Sequence, residues 1–224
     1  MTAFPRFHKF LTVLTALMVS ACAGPGVQFV DTYAPWRKDT ELACLQTGLS
    51  YTSAFASAQP ELDGPRNCGA IRPLRVNALA YGAVTMQPPA LVRCPMVPAL
   101  DDWVRLSVLP AARQWFGQDV VEVENMASYS CRPRNNKRGA KLSEHGFANA
   151  IDVGGFTLAD GRKINVRRGW NGDARERGFL RAVYGDACQH FSTTLGPDSN
   201  KAHHDHFHFD LARYGKDGGE KVCR

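Results

Sequence analysis

The stretch Ser143-Glu-His-Gly-Phe-Ala-Asn-Ala-Ile-Asp-Val-Gly-Gly-Phe156, together with His203-His-Asp-His-Phe-His-Phe-Asp-Leu211, decides how this chain is read. Residues 148–156 are nearly all small or apolar, as in a strand buried on both faces. Asp160-Gly161 follows as a hairpin turn, with Arg162–Val166 as the returning strand. His206–Leu211 alternates polar and apolar side chains, the period-two signature of a second strand. Further out, Asp173–Phe191 is helical. Pro98–Gly117 is a helix with Asp101 and Asp102 in its first turn, Val104, Val108, Ala111 and Trp115 on one face, and Pro110 as an expected kink. Val120–Asn125 reads as a strand. The Arg-rich loop over residues 128–146 is long enough to argue for a function of its own. The segment from Ile71 to Cys94 suggests short strands broken by Asn77, Gly82 and a proline pair. These elements predict an α+β fold, a small antiparallel sheet flanked by helices.

At 44% hydrophobic and 21% charged, the 224 residues exclude disorder and collagen-like repetition for most of the chain. The first residues carry Arg6 and Lys9 and no acid, and an apolar run from Phe10 to Val19 follows. That pattern is a secretory signal, too short to span a bilayer. Its end, Val19-Ser20-Ala21-Cys22, resembles the lipobox of bacterial lipoproteins, which makes residues 1–21 the signal and Cys22 the acylated residue. Ala23 in place of Asp directs the expectation to the outer membrane of a Gram-negative cell, with the protein in the periplasm. Residues 22–40 read as a tether and 41–224 as the domain, its core at 95–224. The net charge of +6 falls to +4 once Arg6 and Lys9 leave with the signal, 25 basic against 21 acidic residues, too mild to argue for nucleic acid. Setting Cys22 aside leaves Cys44, Cys68, Cys94, Cys131, Cys188 and Cys223, an even set that reads as three disulfides in an exported chain. Cys223 is expected to pin the tail, with Cys188 as its partner. No CxxC pair points to a zinc–thiolate site.

Four of the seven histidines, His203, His204, His206 and His208, fall within six residues. His145 in a loop, Asp152 on one strand and His208 on another can converge as three nitrogen or oxygen ligands, the demand of a catalytic zinc with one open position. HExxH is absent, which removes the helix-borne metalloprotease arrangement. Trp103 and Trp115 belong to the core, His190 to a helix end, and Trp170 is a candidate cleft residue.

Ser143-x-His145-x(6)-Asp152 with Asp205-x-x-His208 resembles the paired signature of the peptidoglycan zinc peptidases, which include D-Ala-D-Ala carboxypeptidases, L-alanoyl-D-glutamate endolysins and murein endopeptidases. More closely, the order of DDWV, PAAR, SYSCR, LSEHG, NAIDV, DGR, FLR, LGP and HFHFDLA resembles the bacterial extensin-like C-terminal domain family. The resemblance implies Zn2+ held by His145, Asp152 and His208; Ser143 and His203 are candidates to stand beside these ligands, since metal sites need groups that orient them. It implies a substrate-facing arginine at Arg132 and hydrolysis of peptidoglycan peptides. Ala148 stands where the superfamily carries Gly, a minor change if it lies on a strand. Two groups compete as general base. An ideal strand would point His206, not Asp205, the same way as His208, whereas the DxxH spacing favours Asp205, the preferred assignment. The alternative function is a non-catalytic periplasmic module that binds peptidoglycan or a partner protein.

Overall fold

A computed structural model of the chain describes Met1 and residues 34–47, 54–65 and 67–224. Cys22 and the signal-like run lie outside the described residues. Helix α1 spans Trp36–Gln46 and buries Arg37 and Glu41, two charged residues one turn apart. Residues 36–40 therefore belong to the folded domain and not to a tether, a correction that apolar periodicity had no means of supplying. Glu41 accepts the backbone N–H groups of Ile71 and Arg72 and lies 3.7 Å from the Arg93 guanidinium.

Strands β1 (Ala56–Ala58), β2 (Leu62–Asp63), β3 (Gly69–Ala70), β4 (Leu74–Leu79) and β5 (Val84–Val92) come next. β5 runs through Pro88 and Pro89, which were expected to break it. They sit where the β4 register shifts, so no ladder bond needs their missing N–H, and Asn125 donates its side-chain amide to both proline carbonyls. Helix α2 (Met96–Trp103) continues through a π turn (Val104–Val108) into α3 (Leu109–Phe116), whose first turn holds Pro110. β6 (Val120–Ala127), β7 (Ala150–Leu158), β8 (Lys163–Asn165), the short α4 (Val166–Gly169) and α5 (Ala174–His190) follow. The carboxylate of Asp173 caps α5 by accepting from the N–H groups of Arg175 and Glu176. β9 (Thr193–Leu195), β10 (Phe207–Asp210) and β11 (Val222–Cys223) complete the chain.

Nine strands form one sheet in the order β1-β4-β5-β6-β7-β10-β9-β11, with β8 also paired to β7, and β2 and β3 form a second, two-stranded sheet. The α+β class holds, with a main sheet larger than the sequence suggested. It is mixed, because β5 with β6 and β9 with β11 are parallel. β1, β4 and β5 contribute to the same core as the later strands, so the core is not confined to 95–224. Trp103 sits at its centre, fully buried, with ring centroids 6.0, 6.4 and 5.1 Å from Phe156, Phe191 and Phe209. Its indole N–H donates to the Val183 carbonyl, which locks α2 to α5.

The disulfides are Cys44–Cys94, Cys68–Cys131 and Cys188–Cys223. The last is the expected tail pin. Lys221 donates to the Cys188 and Gln189 carbonyls at the end of α5, and the Tyr184 hydroxyl meets the carbonyl of Arg224. Trp170 is buried against Tyr184 and Phe207, bonded to Asp198 and covered by Arg181, so among the described residues it is a core residue that anchors the loop before β10 and not the expected cleft residue. No helix among the described residues is long and apolar enough to cross a membrane.

Candidate metal centre

Alternation along two paired strands builds the centre. Ile151 and Val153 on β7, and Phe207 and Phe209 on β10, enter the core beneath the helices. Asp152, His208 and Asp210 therefore point from the opposite face of the sheet. The antiparallel register sets His208 directly across from Asp152.

His145 arrives from a 3₁₀ turn, Glu144–Phe147, just ahead of β7. The turn is clamped from several sides. Glu144 takes a two-point ion pair from Arg37, at 2.5 and 3.2 Å, and a hydrogen bond from Asn149. Arg93 donates its backbone N–H to the Ala148 carbonyl and its side chain to the Phe147 carbonyl. Burial lowers the Arg93 pKa to about 10, with Glu41 opposing. Gly146 passes the Cys68–Cys131 bridge so closely that a Cβ would lie 3.0 Å from the Cys68 sulfur. Ala148 ends the turn at φ 51°, ψ 28°, before the strand begins. A left-handed residue is where glycine is free of strain, so the Ala148 methyl group carries a cost here that it would not carry on a strand.

The hydrogen bonds fix which nitrogens face inward. His145 Nδ1–H donates to the Ser128 carbonyl at 2.6 Å, which leaves Nε2 as a lone pair. His208 Nε2–H donates to Asp210 at 3.0 Å, which leaves Nδ1 as a lone pair. Asp210 is itself fixed by the N–H of Ala212. His145 Nε2, His208 Nδ1 and Asp152 Oδ1 then form a triangle with edges of 3.1, 3.1 and 2.9 Å. Three acceptors facing one another need a cation or a proton between them. Two donors each about 2.0–2.1 Å from a tetrahedral ion stand roughly 3.3 Å apart, so the triangle fits a small transition-metal ion. With only a proton available, burial works against a charged His208, but its bonds to Asp152 and Asp210 prevail and raise its pKa to about 9. Burial likewise opposes ionisation of Asp152, and the bonds from His145 and His208 outweigh it and hold the carboxyl below the usual carboxylate range.

Around the triangle lies a polar cavity of about 390 Å³. His206 directs Nε2 to within 3.5 Å of Asp152 Oδ1, while its Nδ1 bonds to Asp205 at 2.9 Å. His206 therefore faces the centre and Asp205 stands behind it. The two residues precede β10, so ideal strand geometry does not govern them, yet the outcome matches what that geometry favoured. Burial works against the Asp205 carboxylate, and the bond to His206 prevails and lowers its pKa. His203 hydrogen-bonds to Asn200, and its ring packs 5.3 and 5.6 Å from His206 and His208. It meets one ligand, His208, through ring packing and not through a hydrogen bond, and burial first, then the neighbouring imidazoles, depress its pKa to about 4. Arg132 lines the cavity with Nη2 3.5 Å from Asp152 Oδ2. Ser143 also lines it, its backbone held between Arg132 and Gly146. Exposed His204 lies outside the cavity wall. Sequence reasoning left out Asp210, although its place two residues after His208 on an alternating strand put both on one face. The Ser128 carbonyl and the Arg37–Glu144 clamp left no such signal.

Comparison with curated proteins and with solved structures finds no match. A family model described as extensin-like protein C-terminus matches residues 42–224, which takes in every strand of both sheets and every residue of the triangle and its cavity. The chain belongs to the extensin-like protein C-terminus family.

Proposed function

We propose that this protein is a zinc-dependent peptidase that hydrolyses peptide bonds in peptidoglycan stem peptides or cross-links, carried in the periplasm on a lipid anchor at Cys22. The observation that supports the reading best is the triangle of three acceptors at the floor of a polar cavity, with both imidazole tautomers fixed so that lone pairs point inward. Histidine ligands whose second nitrogen is tied to a carboxylate or carbonyl are the usual arrangement in protein metal sites. Mixed nitrogen and oxygen donors suit zinc better than magnesium or calcium.

A zinc ion held there would supply Lewis acidity toward a scissile carbonyl and make a nearby water acidic enough to lose a proton near neutral pH. His206 Nε2 faces this point as a lone pair, because Nδ1–H is engaged by Asp205, and it receives the proton. Asp205 holds the tautomer and stabilises the imidazolium that results. The same ring can then return the proton to the leaving amine. Arg132 places a planar cation at the cavity wall, suited to a carboxylate or to negative charge developing on oxygen.

The test is incubation of the purified protein and zinc with muropeptides, with products identified by mass. Cleavage that needs zinc and disappears in Asp152→Asn is the expected result. Intact muropeptides in the presence of stoichiometric bound zinc would leave the non-catalytic binding module as the reading.

A further inference from the structure

The cavity rim continues into a feature that the hydrolytic chemistry does not use. From Asn125 to Ser143 the chain has five cations, Arg132, Arg134, Lys137, Arg138 and Lys141, and no acid. Residues 133–142 of this run form an ordered finger. Pro133 and Leu142 bridge its base, and backbone bonds run from Arg134 N–H to Lys141 O, from Lys137 N–H to Arg134 O and from Ala140 N–H to Lys137 O. Asn135 and Asn136 turn it through left-handed backbone at φ 54° and 53°, a conformation asparagine tolerates better than most residues. The finger's base is tied to the His145 turn by the bond from Ser143 N–H to the Arg132 carbonyl. Arg134, Lys137, Arg138 and Lys141 are all exposed, and among the described residues none is in an ion pair. Four exposed cations on one backbone-bonded loop, with no counter-charge among the described residues, attract an anion from outside the chain.

We propose that the finger is a docking surface for a peptide polymer that carries several carboxylates, one entering the cavity beside Arg132 and others lying along Lys137, Arg138 and Lys141. The inference rests on reading the cavity as the place where the peptide is bound for cleavage. Continuity selects this partner over an anionic membrane. Arg134, Asn135 and Asn136 belong both to the finger and to the cavity wall, so a ligand that follows the charge is led into a concave site. A bilayer surface meets the exposed tip alone. The finger thereby sets substrate class: peptides with carboxylates spaced beyond the cut bond are held longer than neutral ones.

The experiment uses purified peptidoglycan sacculi and chelator-treated protein, so that retention is measured without hydrolysis. Lys137→Gln, Arg138→Gln and Lys141→Gln are combined, and an unchanged melting temperature verifies the fold. Three exposed charge contacts give an expected loss of retention of about tenfold. Raising the salt from low to physiological strength should weaken the wild type and hardly alter the variant. Sacculi whose carboxylates have been converted to amides should lose the wild-type advantage. Equal retention of wild type and variant on untreated sacculi overturns the proposal, as does a charge-dependent loss seen on anionic-lipid vesicles and absent on sacculi. Failure of the peptidase reading is distinguishable: muropeptides then stay intact while the charge-dependent retention persists.

Discussion

Arg37→Ala removes the cation that neutralises Glu144, and its cost can be worked from the structure. The two side chains are only 9% and 2% exposed and meet through two hydrogen bonds. In the variant the Glu144 carboxylate keeps Asn149 as its side-chain donor, at 2.7 Å, and the Phe147 ring loses the guanidinium that lies 4.1 Å over it. Breaking a buried pair from one side costs about 3–5 kcal/mol, because the remaining charge stays desolvated without its counterion. For a domain of this size that corresponds to a fall in melting temperature of roughly 6–20 °C. The assay is thermal unfolding at neutral pH, followed by circular dichroism, in chelator so that metal binding does not mask the change. A second variant separates charge from packing. Arg37→Met with Glu144→Gln replaces the pair by an apolar stem and a neutral acceptor for Asn149, and should recover at least half of the loss. A single variant that melts within about 2 °C of wild type would refute the reasoning, and a double variant less stable than the single one would show that the stranded carboxylate is not the cause.

Asp210→Asn leaves an oxygen near His208 but removes its charge, and zinc affinity measured against a competing chelator should fall about 10–100-fold. The His208 pKa, at about 9, lies above its unfolded value near 6.5, so the folded metal-free protein holds a proton that the unfolded chain releases. The stabilisation is complete below pH 6.5 and is lost as pH rises to about 9, so metal-free protein should melt lower at pH 9 than at pH 6.5, by up to about 3 kcal/mol of stability, and zinc should abolish the difference. His206→Gln should retain zinc and lose turnover by about 10²–10⁴-fold, whereas Asp205→Asn should lose less and move the pH profile; full turnover in His206→Gln removes the assigned base. Cys22→Ser should shift the protein from the membrane fraction to the soluble one, and unchanged fractionation contradicts the anchor.

The strands that carry the centre were legible because alternation and burial act locally. FHFD at residues 207–210 already places His208 on one face and Phe207 and Phe209 on the other, and the structure keeps that division. Of helix α1, whose later turns over residues 42–46 carry a local helical signal, the first half at residues 36–41 was illegible for the converse reason: what it buries is Arg37 and Glu41, and charge pairing with Glu144 and Arg93, far away in sequence, leaves no periodic trace. β5 was obscured by its prolines, whose tolerance depends on a register shift in β4 that one strand cannot reveal. Ala148 shows the limit at a single residue. Its place beside a buried run suggested strand, while the tight turn that presents His145 requires left-handed backbone there.

The bridges Cys44–Cys94 and Cys68–Cys131 interleave along the chain. A polypeptide threading across a membrane amino-terminus first presents Cys44 and Cys68 to the oxidant together, before Cys94 or Cys131 has emerged. Pairing in order of arrival joins the wrong partners, and α1 could not then reach Arg93 and Glu144 while the His145 turn forms. Under the export proposed here, maturation depends on an enzyme that reshuffles bridges and not merely on one that makes them. In cells with oxidase but no isomerase, the protein would accumulate as full-length, fully oxidised chains that bind no metal.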